Sequence, residues 1–67
     1  MRVSRTVKKG GVLKYDGWRW QSADLLGMIG RWVWIVGVED SAATTTIRVE
    51  DKDGEYLADA ARGDKVT

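Results

Sequence analysis

Three dipeptides that accept left-handed backbone, Gly10-Gly11, Asp16-Gly17 and Asp53-Gly54, recur in a chain of 67 residues that contains no proline. Each suits the type I′ turn, whose positive φ angles match the twist of the strands it joins, so each predicts a two-residue hairpin. Between and around them, segments 3–9, 12–15, 18–21, 31–38, 44–51 and 55–60 are rich in β-branched and aromatic residues and read as six strands. The expected fold is all-β: a small six-stranded antiparallel barrel of SH3-like size. The division is a basic arm or first-strand start at 1–6, the barrel at 7–60 and a flexible tail at 61–67.

Residues 22–29 break the pattern. Ser22 is placed to cap a first turn, Asp24 lies near its positive end, and Leu25, Leu26 and Ile29 make one apolar stripe. This predicts one short helix, stopped by Gly30, whose stripe plugs a barrel mouth.

A chain this short buries only about 60% of its unfolded surface, which leaves room for a single core. It has no cysteine and no histidine, so neither a disulfide nor the usual zinc ligand sets are available. No metal and no cofactor are expected. Packing must therefore rest on Trp18, Trp20, Trp32 and Trp34, since a large aromatic removes about 150–250 Å² from water. No segment approaches the about 20 apolar residues of a membrane span, and Met1-Arg2-Val3-Ser4-Arg5 lacks the apolar stretch of a signal peptide. The expectation is a cytoplasmic protein, in a bacterium or a phage-infected host, with no membrane partner.

The two-residue strand period sets Val33 and Ile35 on one face and Trp32, Trp34 and Val36 on the other, so both faces are apolar. Such a strand is either central or covered by a partner. In 44–51, Ile47 and Val49 face in while Arg48 and Glu50 face out. Trp18-Arg19-Trp20 and Trp32-Val33-Trp34 interleave as aromatic platforms for nucleic acid or methyl-lysine do. One pair is expected in the core and the other on a contact surface; spacing alone leaves open which.

The net charge of +1 conceals a division. Residues 1–36 hold Arg2, Arg5, Lys8, Lys9, Lys14, Arg19 and Arg31 against Asp16 and Asp24, a net of +5; residues 37–67 hold four cations against eight carboxylates, a net of −4. Such segregation suggests a polar contact surface in place of uniform solubilisation; the alternative is a solvated barrel with chance clustering.

Other motifs carry less. Asp51-Lys52-Asp53-Gly54-Glu55 starts like a calcium loop, but the glycine required at its sixth place is Tyr56 and the glutamate at its twelfth is Arg62. Arg62-Gly63-Asp64 matches an integrin-binding tripeptide and is read as part of the tail. Carboxylates, lysines and hydroxyls are present without a histidine to activate them, so no catalytic residue is assigned and this chain by itself is expected not to be an enzyme.

In order, the chain presents Val7, Gly10-Gly11-Val12, Gly17, Trp20, Leu25, Gly30, Val33, Ile35, Asp40, Ile47, Val49, Asp51, Asp53-Gly54 and Ala60. This series resembles the C-terminal β-barrel of Mu-type (phage Mu-like) transposases over most of residues 5–60. That family's pattern has a glycine hairpin, an aromatic near the helix start, a glycine followed by alternating valines, and a Val-x-Asp-x-Asp-Gly hairpin ending in alanine. Trp20 stands where the family usually has tyrosine, and residues 37–44 replace its Tyr-Asp-Pro-x-Asp corner. The resemblance implies a barrel that follows an RNase-H-like catalytic domain. It implies sequence-nonspecific contact with double-stranded DNA, and packing against the parent's catalytic domain and neighbouring protomers.

The leading expectation is therefore a non-catalytic transposase barrel acting in DNA transposition, integration and recombination. Its DNA-backbone contacts would come from Arg2, Arg5, Lys8, Lys9, Lys14, Arg19 and Arg31, with Trp18 and Trp20 touching protein or bases. The alternative is an SH3- or Tudor-like module that binds a peptide through Tyr15, Trp18 and Trp20. A third reading is a domain that only docks on its parent's core.

Overall fold

The computed structural model describes residues 2–66. The Asp16-Gly17 turn forms as expected: Asp16 has φ 51° and Gly17 φ 80°, the left-handed pair that a type I′ turn requires. It joins β2 (Val12–Tyr15) to β3 (Trp18–Gln21) in register, Leu13 across from Trp20 and Lys14 across from Arg19. At Gly10-Gly11 the connection is three residues, Lys9 to Gly11, in place of the expected two, and it is closed by a single bridge between Lys8 and Val12, because β1 (Arg2–Thr6) leaves that hairpin to pair with β4 (Trp32–Val36). Gly11 is obligatory: its φ is 74°, and a Cβ there would lie 2.5 Å from the Ser22 carbonyl oxygen.

The third turn differs from the expected two-residue form. Gly54 has φ 84° but Asp53 does not share the left-handed region, and the Gly54 amide donates to the Asp51 carbonyl at 3.0 Å. The Asp51 carboxylate accepts from the Asp53 and Glu55 amides at 2.8 and 3.0 Å, so the side chain itself organises the turn. The calcium-like segment is thus a hairpin connection between β5 (Thr46–Glu50) and β6 (Tyr56–Lys65).

All strand pairs are antiparallel, and the order β1-β4-β5-β6-β3-β2 curls the six-stranded sheet into a nearly closed barrel. Val33 and Ile35 of β4, Ile47 and Val49 of β5, Ala58 and Ala60 of β6 and Leu13 and Trp20 fill its interior, each at most 2% exposed. The alanines lie across from Val49 and Ile47, leaving space at the barrel centre for larger neighbours. β6 runs on to Lys65, and its far end pairs with β3 at Gln21, Trp20 and Trp18. Residues 61–65 are therefore strand where the sequence reads as a tail, because β3 would otherwise leave an edge of unpaired amides. Residue 67 of that expected tail lies outside the described residues.

Residues Ala23–Met28 form a 3-10 helix, not an α-helix. Ser22 caps it as expected, its hydroxyl accepting from the Asp24 amide at 3.2 Å. The tighter helix repeats every third residue, so Leu25 and Met28 share the inward side. Leu25 is fully buried and Met28 packs on the core, whereas Leu26 and Ile29 are 54% and 47% exposed. The predicted stripe therefore splits. A second 3-10 turn, Ser41–Ala43, is capped by Asp40, whose carboxylate accepts from the Ala42 amide at 3.1 Å. Among the described residues no helix is long and apolar enough to cross a membrane.

Candidate nucleic-acid interface

A twisted six-stranded sheet that does not quite close leaves its first and last strands facing each other, here β1 and β2. Instead of a backbone ladder, a side chain joins them: Arg5 on β1 donates its Nε–H to the Lys14 carbonyl on β2 at 3.0 Å and an Nη1–H to the Ser4 carbonyl at 2.7 Å. Arg5 alternates with outward-facing Ser4 and Thr6, and the two bonds draw its guanidinium across the seam. The seam is a shallow cleft of about 320 Å³ lined by Ser4, Arg5, Thr6, Lys8, Lys14 and Trp32.

Three of the seven predicted cations, Arg5, Lys8 and Lys14, are thus brought together. Lys9 is exposed beside Lys8 in the turn, and Arg19 is exposed across from Lys14. Arg31 stands apart, in a second cleft with Asp51, Lys52 and Asp53 that Trp32 also lines. Arg2 is committed elsewhere: its Nε lies 3.0 Å from the Glu50 carboxylate, which Arg48 meets from the other side at 2.7 Å. Among the described residues these are the only ion pairs, so Lys8, Lys9, Lys14 and Arg19 present uncompensated charge. Glu50, read from the sequence as outward and solvated, is only 5% exposed because the two guanidinium groups cover it. Arg48 in turn stacks over the Tyr56 ring at 4.9 Å.

The tryptophans do not divide pair by pair. Trp20, assigned from sequence to contacts, is fully buried; its Nε1–H donates to the Tyr15 carbonyl at 3.0 Å. Trp18 is half-buried, with the Arg62 guanidinium 4.6 Å and the Lys65 ammonium 6.0 Å from its ring. Tyr15 is 7% exposed and its hydroxyl accepts from the Val38 amide at 3.3 Å. An aromatic groove built from Tyr15, Trp18 and Trp20 is therefore closed at Tyr15 and Trp20 and open only at part of Trp18, which weakens the basis for the peptide-binding alternative. The same Arg62 also donates to the Ser41 carbonyl at 2.9 Å and to that of Ala42. In the Arg62-Gly63-Asp64 tripeptide the guanidinium is thus engaged inside the fold.

Two aromatics are substantially exposed among the described residues: Tyr56, at 52%, beneath the Arg48 guanidinium, and Trp32, at 47%, which the site residues read from the sequence omitted. A signal for it exists: Val33 and Ile35 are apolar and occupy the barrel interior, which forces their neighbours outward. Trp34, half-buried beside it, meets Trp32 edge-on at 5.3 Å and 87° and donates its Nε1–H to the Lys52 carbonyl at 3.4 Å. The site is therefore a basic seam with an indole fixed at its border, an arrangement suited to a polyanion that also carries aromatic faces.

The family model described as Mu transposase, C-terminal, matches residues 1–59. No curated protein and no solved structure matches the chain.

Proposed function

Because the chain belongs to the Mu transposase C-terminal family, we propose that it works as a non-catalytic barrel of a DNA transposase, holding double-stranded DNA by its backbone without reading sequence. The observation that carries this reading is the seam, where Arg5, Lys8 and Lys14 converge with no carboxylate partner among the described residues. Lys9 and Arg19 extend the positive surface at its borders. Phosphates displace condensed counterions when they meet such cations, so affinity depends on salt and not on base order.

In this reading the acidic hairpin around Asp51 and Asp53, whose cleft shares only Trp32 with the seam, is left to the parent's catalytic domain, a neighbouring protomer or solvent. The chemistry of strand transfer belongs to the catalytic domain, in the cytoplasm of a bacterium or a phage-infected host. Arg2, held by Glu50, contributes less to DNA than its place in the sequence implies, and Arg31 is partly offset by Asp51 and Asp53.

The test is a titration of duplex DNA at several salt concentrations. Contacts from Arg5, Lys8, Lys9, Lys14 and Arg19 give a slope of log affinity against log salt of about −4 to −5. Weak binding that salt does not change would overturn the proposal. Replacing Lys14 with alanine should make the slope shallower by about 1, uniformly across sequences.

A further inference from the structure

We propose that Trp32 is a stacking platform for an unpaired base, so that the seam takes single-stranded DNA more tightly than duplex. This rests on the DNA-binding reading and names the form of DNA that the site prefers. Among the described residues four large apolar side chains are substantially exposed, Leu26, Ile29, Trp32 and Tyr56, and of these only Trp32 lines the cleft that also holds Arg5, Lys8 and Lys14. It therefore unites an aromatic surface and phosphate-binding groups in one cavity.

The indole is also held in place. Its backbone lies across from Thr6 of β1, and Trp34 braces it edge-on at 5.3 Å while anchored to the Lys52 carbonyl. A braced ring loses little freedom when a base stacks on it. Bases in a duplex already stack on each other and offer no face to a side chain along the groove, so duplex gains only the cationic contacts. An unpaired strand gains both, because each of its bases has a free π-face and its backbone can bring phosphates toward Lys8 and Lys14. Strand ends and distorted junctions, where bases come free, present the same chemistry.

The experiment compares oligothymidylate with a duplex of equal length, using the whole chain and Trp32→Ala, Trp32→Phe and Lys14→Ala variants whose melting curves confirm folding. Trp32→Ala should weaken oligothymidylate binding at least about fivefold and leave duplex binding within about twofold, while Trp32→Phe retains most of the single-strand affinity. Quenching of tryptophan fluorescence by oligothymidylate should be largely lost in Trp32→Phe, and Lys14→Ala should weaken both ligands. If Trp32→Ala affects both ligands equally, or neither, while duplex binding keeps its salt slope, the stacking role is overturned and the backbone-contact reading stands. If neither ligand binds in a salt-dependent way, both proposals fall.

Discussion

β3 and β4 each carry two tryptophans separated by one residue, yet the two strands use them in opposite ways. In β3 the residues that alternate with the indoles are Arg19 and Gln21, both exposed, so the tryptophan side turns inward; Trp20 disappears into the barrel and Trp18 is covered by Arg62 and Lys65. In β4 the alternating residues are Val33 and Ile35, fully buried, and the indoles are displaced to the outside, where Trp32 remains 47% exposed. The aromatic spacing is identical, and the polarity of the intervening positions decides which face is core. One motif therefore yields a structural anchor on one strand and an available surface on the other.

The sharpest way to break that contrast is truncation of one indole from each strand. Trp20→Ala removes a fully buried side chain and its hydrogen bond to the Tyr15 carbonyl, an expected loss of about 3–5 kcal/mol. Domains are stabilised by only about 0.05–0.15 kcal/mol per residue, about 3–10 kcal/mol for a chain of this length, so the loss removes from about a third of the stability to all of it. Trp32→Ala, on the exposed face, forfeits mainly the edge-on pair with Trp34 and should cost about 1–2 kcal/mol. Urea unfolding followed by circular dichroism measures both. Equal losses at the two positions would mean that Trp32 packs into the fold far more than its exposure indicates.

The same contrast marks what sequence patterning reaches. The all-β class, six strands, the Asp16-Gly17 turn and the inward set Val33, Ile35, Ile47 and Val49 follow from glycine placement and two-residue alternation. The 3-10 form of Ala23–Met28 does not, because apolar residues at 25, 26 and 29 satisfy an α-helical period, and the close approach of this segment's backbone to Gly11 is a tertiary contact that no local pattern encodes. The extension of β6 to Lys65 is equally hidden: Ala61-Arg62-Gly63-Asp64 has little strand propensity, and the segment is extended because β3 needs a partner. At the candidate site, charge segregation pointed to the basic half. Pairing of Arg2 with Glu50 depends on neighbours brought together by the β1-β4-β5 order, which no local pattern encodes.

A second test uncovers the hidden member of the β3 pair. Arg62 stacks on Trp18 and donates to the Ser41 carbonyl, so it ties β6 to β3 and to the Ser41–Ala43 turn at once. Arg62→Ala forfeits a partly desolvated cation–π contact and a charge-assisted hydrogen bond, for an expected loss of about 1–2 kcal/mol. The urea midpoint should fall with unchanged slope. Amide exchange at Thr44, whose N–H donates to the Ser41 carbonyl at 3.3 Å, should accelerate more than exchange in β4. A loss confined to the DNA affinity, with stability intact, would instead make Arg62 part of the binding surface and Trp18 its accessory.

The finest test converts β3 into the pattern of β4. Arg19→Val places an apolar residue between Trp18 and Trp20, so that the strand is apolar on both faces and the alternation no longer names an interior. If Trp20 is held by its cavity and its hydrogen bond to Tyr15, the strand keeps its register and stability changes by less than about 0.5 kcal/mol, since residue 19 is exposed. A register slip of one residue would expel Trp20 and admit valine, and it would appear as a loss of slow exchange at the Leu13–Trp20 pairing and a large fall in the urea midpoint. The conservative outcome is expected, because valine cannot fill the volume an indole leaves. The same variant also lacks one cation beside Lys14, so its duplex affinity should depend on salt less steeply by about one unit of slope. An intact fold with a shallower slope would separate the two roles of the strand: packing on its tryptophan side and phosphate contact on the other.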